Sequence, residues 1–210
     1  MKQTALANSI PFASIRVGYL NYLVIFIAGL CAPLGFAPFH MPGLMILSLA
    51  FLYANLNNCS RKQSFYLGFF YGIGYFGFGV SWVIVSIHDY GQLNYVLSAL
   101  VTLIFVMYLA LFPALTAYFF KVLEFKQHKF RSIILFSVLW CISEYLRATL
   151  FGGFPWLFVG TTLIDTPIRY LTPLLGIYGL SLLCAFVSAF LPQVVHDNST
   201  KRYVYAIILS

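Results

Sequence analysis

Long apolar stretches alternate with short polar breaks along almost the whole chain. A membrane helix needs about 20 residues, because the hydrocarbon layer is about 30 Å thick and a helix rises about 1.5 Å per residue. On this criterion the pattern predicts six complete spans and a seventh that has only begun where the sequence stops. The predicted spans lie near 17–37, 43–57, 64–88, 94–120, 131–150 and 170–193, with the partial one at 203–210. We therefore predict an all-α, polytopic transmembrane helix bundle that forms one domain over residues 1–210.

The composition supports a membrane protein. Hydrophobic residues make up 61% of the chain and charged residues 8%, and the mean hydropathy is +0.90. Soluble domains carry about 25% charged residues. A core of 210 residues cannot hide this much apolar surface from water, so the composition excludes an ordinary soluble domain. The first apolar run follows a long mixed segment and leads into further spans, so we interpret it as the first helix and not as a removed leader.

The basic residues predict the orientation in the membrane. Ten of the 12 Lys and Arg fall in the N-terminal tail and in the breaks after spans two, four and six, and only Arg147 and Arg169 lie elsewhere. If the spans alternate in direction, these four regions share one face, which the positive-inside rule makes cytoplasmic. We therefore expect a cytoplasmic N-terminus. The net charge of +7 is then a sign of topology, and we expect no nucleic-acid partner.

Cysteine and histidine give no sign of metal or thiol chemistry. The 4 Cys and 4 His show no CxxC and no metal-ligand spacing. A catalytic thiolate needs water and an electropositive neighbour, and none of the cysteines has an evident setting of that kind. The sequence predicts packing roles for the cysteines, and no metal or cofactor.

A charged pair interrupts the fifth span. Glu144 and Arg147 stand three positions apart on one helix face, and each charge costs about 2.5–3.5 kcal/mol on insertion scales. One interpretation is a self-neutralising pair that fixes helix packing. The other is a contact with a headgroup or substrate at the outer interface, where a guanidinium suits a phosphate. The sequence leaves both interpretations open.

The segment after this pair is also unusual. The motif Gly153-Phe154-Pro155-Trp156 is too apolar to sit comfortably in water, and its glycine and proline prevent a simple helix. It predicts a structured element at the membrane surface. Earlier in the chain, Gly68 and Gly72 are spaced for close helix approach in lipid, and Trp82 follows at a predicted interface.

Taken in order, these motifs resemble the membrane domain of bacterial apolipoprotein N-acyltransferases over nearly the full length. The residues that carry the resemblance are GFAPF at 35–39, the glycine-rich stretch 68–79, WVIVS at 82–86, EYLR at 144–147, GFPW at 153–156, ID at 164–165 and PLLG at 173–176. Each motif alone is weak, but together, at matching distances from the spans, they indicate the family.

The resemblance implies a reaction and a place. Such enzymes complete lipoprotein maturation at the outer face of the bacterial inner (cytoplasmic) membrane. They hold an acyl chain from a phospholipid as a cysteine thioester, then transfer it to the α-amino group of a diacylglyceryl-modified N-terminal cysteine. This chemistry belongs to a nitrilase-like domain with a Cys, Glu and Lys constellation. No residue here matches those three, so we expect no catalytic residue in this chain. The implied partners are membrane phospholipid and an apolipoprotein substrate.

The nitrilase-like domain should follow the seventh helix, within which the sequence stops. We therefore expect a truncated, split or frameshifted member that lacks transferase activity alone. Alternatives are a non-catalytic module that pairs with a separately encoded nitrilase-like chain, a degenerate gene product or, ranked last, a small transporter. The candidates for the lipid-side cavity or its support are Trp82, Glu144, Arg147, Phe154, Pro155 and Trp156.

Overall fold

The computed structural model describes residues 18–57, 59–124 and 128–196, and these residues form helices and turns without a strand. The helices in this part of the chain are α1 (Tyr19–Cys31), α2 (Pro42–Leu56), α3 (Arg61–Gly79), α4 (Val83–Asp89), α5 (Tyr95–Leu123), α6 (Lys129–Thr149) and α7 (Thr172–His196). Short 3-10 turns occupy Ala32–Gly35, Leu150–Gly152, Val159–Leu163 and Pro167–Leu171. The predicted all-α membrane bundle is confirmed. The predicted partial span 203–210 lies outside the described residues, as do Lys2, Arg16, Lys126, Lys201 and Arg202.

Helix length and composition separate long membrane helices from shorter ones. Within the described residues, three segments are long and apolar enough to cross a membrane, namely Tyr95–Leu123, Lys129–Gly152 and Pro167–Val195. Helices α3 and α4 meet the same criterion together, but a bend of 52° separates them. Helices α1 and α2 are apolar but shorter.

The bend between α3 and α4 interrupts the span predicted near 64–88. Gly77 and Gly79 end α3 with two weak helix formers. Val80 then leaves helical geometry at φ −117° and ψ 17°, and the Ser81 hydroxyl donates to the Phe78 carbonyl at 3.0 Å. The chain therefore turns at 80–82 before α4 begins. Helix α7 also contains a break, because Gly176 adopts φ 64° and ψ −177°.

Glycines allow α3 to pack tightly against α5. A Cβ at Gly68 would lie 2.8 Å from Ala114 Cα and 2.9 Å from Ala117 Cβ, and one at Gly72 would lie 2.7 Å from Ala110 Cα. Real Cβ atoms do not approach so closely, so any larger residue would push the helices apart. Gly68 lies opposite Ala114 and Ala117, whereas Gly72, further along α3, lies opposite Ala110, earlier in α5. The two helices are therefore antiparallel. The close approach expected for small residues at this spacing is thus present.

The two ends of the bundle differ in character. We call the end that carries the connections 32–41, 80–94 and 150–171 the aromatic end. We call the opposite end, where α2 and α5 end and α3 and α6 begin, the basic end. At the basic end the Lys121 Nζ donates to the Asn57 carbonyl at 2.8 Å and pairs with Glu124 at 2.7 Å.

Candidate functional site

Helix α6 carries Glu144 and Arg147 into the interior near the aromatic end. Their side chains are buried, with exposed fractions of 4% and 3%. No ion pair within 4.0 Å joins them among the described residues, although their charges are close enough to interact. The two charges therefore interact without a direct ion pair, and the choice between a self-neutralising pair and a headgroup contact stays a prediction. Each charge binds the segment that follows α6.

The Arg147 guanidinium donates hydrogen bonds to three backbone carbonyls of that segment. Its Nη1 donates to the carbonyls of Phe154, at 2.8 Å, and of Trp156, and its Nη2 donates to the carbonyl of Leu157 at 3.2 Å. The guanidinium fork suits this task, because it presents several rigid donors in one plane. Charge-assisted hydrogen bonds of this kind are stronger than neutral ones. Arg147 thus ties residues 154–157 to α6.

Aromatic rings cover the rest of the guanidinium. The Arg147 Cζ lies 5.3 Å from the ring centre of Phe76 on α3 and 5.2 Å from that of Phe158. Both distances fall within cation–π range. These contacts shield the charge on faces that Glu144 and the three carbonyls do not cover.

Glu144 fixes the far side of the same segment. Its Oε1 accepts a hydrogen bond from the backbone N–H of Val159 at 2.8 Å and another from the Trp140 indole at 3.2 Å. The next amide, that of Gly160, donates to the Ser181 hydroxyl on α7 at 2.9 Å. The segment is therefore held on both sides, and we call residues 150–160 the anchored loop.

The backbone of the anchored loop is locally strained. Phe151 and Leu157 have φ values of 52° and 57°, and Gly152 and Gly153 have φ values of 86° and 74°. A non-glycine residue in this region persists only where its surroundings impose it, at a cost of about 1–3 kcal/mol. The surroundings of Leu157 meet that condition, since its carbonyl accepts from both Arg147 and the Tyr75 hydroxyl, the latter at 2.8 Å.

Within the anchored loop, Phe158 packs against Arg147, whereas Phe154 and Trp156 pack against other aromatic rings. The rings of Phe154 and Trp156 stack with their centres 5.6 Å apart, Trp156 lies 6.2 Å from Trp82, and Phe154 meets Phe105 edge-on at 5.1 Å. Trp82 and Trp156 remain about half exposed, at 45% and 53%. We call Trp82, Phe105, Phe154 and Trp156 the aromatic platform. Pro155, which links Phe154 to Trp156 in the sequence, is exposed.

The structure therefore sorts the six predicted site residues into two groups. Trp82, Phe154, Pro155 and Trp156 meet at the surface of the aromatic end, whereas Glu144 and Arg147 lie beneath them. The predicted contact of Arg147 with a phosphate would require this side chain to leave its carbonyls. Its geometry supports the loop instead.

Sequence reasoning missed several residues that complete the site. Tyr75, Trp140 and Ser181 each bond the anchored loop or Glu144, yet each is an ordinary residue of an apolar helix. A small cleft joins these helices next to the charges, lined by Tyr75, Phe76, Phe112, Pro113, Trp140, Ser143, Glu144 and Arg147. No group of His, Cys, Asp or Glu in the described ranges is arranged to hold a metal ion.

A second link crosses the aromatic end. The His40 Nδ1 lies 2.6 Å from the Asp165 Oδ2, with both side chains about half exposed. It joins the connection between α1 and α2 to the segment before α7. The two residues are 125 positions apart, so no local pattern could have paired them.

Comparison with known proteins gives the family. The family model described as the apolipoprotein N-acyltransferase N-terminal domain matches residues 28–190. The chain is 38% identical over 192 residues to an apolipoprotein N-acyltransferase of Coxiella burnetii, covering 90% of this chain and 39% of that relative.

Two further relatives agree with this match. The apolipoprotein N-acyltransferase of Nitrosomonas europaea is 38% identical over 189 residues, covering 89% of this chain and 38% of the relative. That of Pasteurella multocida is 35% identical over 190 residues, with 90% and 36% covered. The chain thus spans about two fifths of the length of these curated relatives. By these matches, and consistent with its helical architecture, this chain belongs to the apolipoprotein N-acyltransferase family and corresponds to its N-terminal membrane domain.

Proposed function

We propose that this chain serves as the membrane part of an apolipoprotein N-acyltransferase. The reaction moves an acyl chain from a membrane phospholipid to the N-terminal diacylglyceryl-cysteine of a lipoprotein. The single observation that carries the proposal is the anchored loop, in which two buried charges hold a strained backbone so that Trp156 is exposed with Phe154 stacked against it.

In this proposal the membrane part positions lipid and does not perform the transfer. The aromatic platform contacts an acyl chain or the underside of the catalytic part, since aromatic rings offer large apolar surface with few rotatable bonds. Trp82, Phe154, Pro155 and Trp156 make the contact, and Glu144 and Arg147 keep the loop in place. The thioester chemistry belongs to a nitrilase-like part with its own Cys, Glu and Lys.

We place the chain in the bacterial inner membrane with the basic end in the cytoplasm. The exposed cations Arg61, Lys62, Lys129 and Arg131 at that end support this orientation. The aromatic end then faces the outer side, where the family resemblance implies that lipoproteins receive their last acyl chain. The N-terminus, which precedes α1, is cytoplasmic in this arrangement.

The nitrilase-like part is either continuous with this chain or a separately encoded partner. The test is expression in a bacterium depleted of its own enzyme, with and without a nitrilase-like part. Mass spectrometry of a lipoprotein's N-terminal peptide then reports N-acylation. We expect acylation only when both parts are present.

Two outcomes would contradict the proposal. Acylation by residues 1–210 alone would show that catalysis lies in this chain. Absence of acylation in every combination, together with no co-purification of the two parts, would remove the basis for a shared enzyme. An inactive variant of the nitrilase-like part, with its catalytic Cys replaced by Ala, is the matched control.

A further inference from the structure

We propose that the basic end is a binding surface for the headgroups of anionic phospholipids. Its cations are Arg61 and Lys62 at the start of α3 and Lys129 and Arg131 at the start of α6, all of them exposed. We call these four residues the basic collar. The inference concerns the end of the bundle opposite the anchored loop and does not depend on acyl transfer.

Packing between helices brings the collar residues of α3 and those of α6 to the same end of the bundle. The antiparallel contact of α3 with α5 sets the start of α3 beside the end of α5, as the bond from Lys121 to the Asn57 carbonyl also shows. The start of α6 lies at the same end, because Phe136 packs against Tyr53 of α2 and Phe120 of α5, with ring centres 5.1 and 5.7 Å apart.

The collar has no counter-charge among the described residues. The carboxylates in that part of the chain belong to Asp89, Glu124, Glu144 and Asp165, and only Glu124 lies at the basic end. Glu124 is already paired with Lys121 at 2.7 Å, and both side chains are 10% exposed. No ion pair or side-chain hydrogen bond involves Arg61, Lys62, Lys129 or Arg131 within the described ranges.

The collar cations do not stabilise their own helices. A helix N-terminus carries a partial positive charge, so cations in the first turn are unfavourable there. Neither α3 nor α6 has an acidic residue in its first turn to offset them. These positions therefore favour an anion supplied from outside the protein.

A phospholipid fits this surface better than a free anion. Exposed Phe130 and Tyr66 accompany the collar, at 60% and 41% exposure, and offer apolar contact beside the charges. Clusters of Lys and Arg next to a membrane helix attract anionic headgroups, and a guanidinium binds phosphate oxygens in a fork. Charge and apolar surface together match a lipid at the bilayer boundary.

The experiment uses the full chain purified in a zwitterionic detergent. It is titrated with phosphatidylglycerol, with phosphatidylcholine and with inorganic phosphate, and native mass spectrometry counts bound lipid while a thermal scan reports stability. We expect phosphatidylglycerol to bind about tenfold more tightly than phosphatidylcholine and to raise the unfolding temperature. This preference should weaken as salt rises, because screening shortens the reach of exposed charges.

Paired variants locate the binding. Arg61→Gln with Lys62→Gln, and Lys129→Gln with Arg131→Gln, should each reduce the preference for phosphatidylglycerol about threefold or more. Arg169→Gln, which removes an exposed cation at the aromatic end, is the matched control and should leave it unchanged. Equal binding of both lipids, or wild-type preference in both paired variants, would overturn the proposal. A stability gain from inorganic phosphate alone would instead indicate an anion site that does not require lipid, which also overturns it.

Discussion

Arg147 is the side chain on which the anchored loop depends most. A buried arginine near a carboxylate usually forms a direct ion pair, but this one donates its hydrogen bonds to the carbonyls of Phe154, Trp156 and Leu157 and interacts with Glu144 only at longer range. Its charge is spread over three dipoles and two aromatic rings. In lipid, where unpaired carbonyls find no water, this arrangement satisfies an irregular backbone that would otherwise be costly.

Arg147→Ala should therefore destabilise the protein strongly. It leaves the carbonyls of Phe154 and Trp156 without this donor and that of Leu157 with only the Tyr75 hydroxyl. It also leaves the buried charge of Glu144 without its neighbour, and removal of one member of a buried charged cluster costs about 3–5 kcal/mol. Arg147→Lys should recover part of the loss, because one ammonium cannot reach all three carbonyls in the same geometry. Thermal unfolding in detergent measures the effect, with exposed Arg169→Ala as the control. Wild-type stability combined with weaker phospholipid binding would instead support the predicted headgroup contact.

Cys59, in the connection between α2 and α3, carries a testable pH dependence. Burial raises the pKa of its thiol to about 11, with Lys121 acting in the opposite direction. The thiol also donates to the Leu56 carbonyl at 3.2 Å. Because the folded-state pKa lies above that of the unfolded chain, the unfolded state loses its proton first. The contribution of Cys59 to the free energy of unfolding is therefore fully present below the ordinary thiol pKa of about 8.5. It is lost as the pH rises toward 11.

The same shift predicts slow alkylation of Cys59. Since the thiolate is the reactive form, a variant that retains only this cysteine should react with iodoacetamide at pH 8 about 100-fold more slowly when folded than when unfolded in SDS. The variant carries Cys31→Ala, Cys141→Ala and Cys184→Ala. Mass spectrometry of timed samples gives the rate. Equal rates in the two states would show that the thiol is accessible and has an ordinary pKa.

At the scale of elements, the anchored loop and the bent pair α3–α4 form one unit. The bend sets Trp82 at the start of α4, where it meets Trp156 across the surface. The Leu157 side chain lies against Gly79, at the end of α3, where any Cβ would overlap it. The break in the third predicted span therefore makes room for the loop that follows α6.

Substitutions at Gly152 and Gly153 in the anchored loop should distinguish the cost of backbone strain from the cost of a steric clash. Both have positive φ, but a Cβ at Gly153 would overlap the Ala148 carbonyl, whereas one at Gly152 would meet nothing within 4 Å. Gly152→Ala should therefore cost only about 1 kcal/mol, from the left-handed conformation. Gly153→Ala should lower the unfolding temperature clearly more, because the loop must also move off α6. Equal effects of the two substitutions in a thermal scan would contradict the described path of the loop.

At the scale of the whole molecule, we propose different binding partners for the basic end and the aromatic end. The basic end contacts headgroups, and the aromatic end offers the aromatic platform to an acyl chain or to the catalytic part. The link between His40 and Asp165 joins the connection after α1 to the segment before α7. The aromatic end is thereby tied together by residues from two distant parts of the chain.

The platform's role is testable in the enzyme assembled with its nitrilase-like part. Trp156→Ala and Trp82→Ala should each lower the rate of acyl-enzyme formation about tenfold, since loss of one aromatic contact is worth about 1 kcal/mol or slightly more. Tyr90→Ala removes an exposed aromatic ring at the same end that contacts no platform ring among the described residues, and it serves as the control. Unchanged rates in both tryptophan variants, with normal folding, would contradict an acyl-positioning role.

The fold class and the approximate positions of the helices follow from the sequence, because in a membrane both depend on the residues of each segment alone. A helix in lipid must satisfy its own backbone, so hydropathy alone predicts helices and their approximate ends. The motif around Glu144, Arg147 and Trp156 was visible for the same reason, since charges, glycine and proline within an apolar chain stand out one residue at a time.

Only the tertiary structure decided what those residues contact. Whether Arg147 binds Glu144 or loop carbonyls, where α3 bends, and which ring meets Trp156 all depend on groups from different helices. In the sequence Tyr75 and Ser181 are ordinary helix residues, and only the structure shows that both form hydrogen bonds with the anchored loop. Contacts of this kind depend on distances between segments remote in the chain, and no periodicity along the chain encodes those distances.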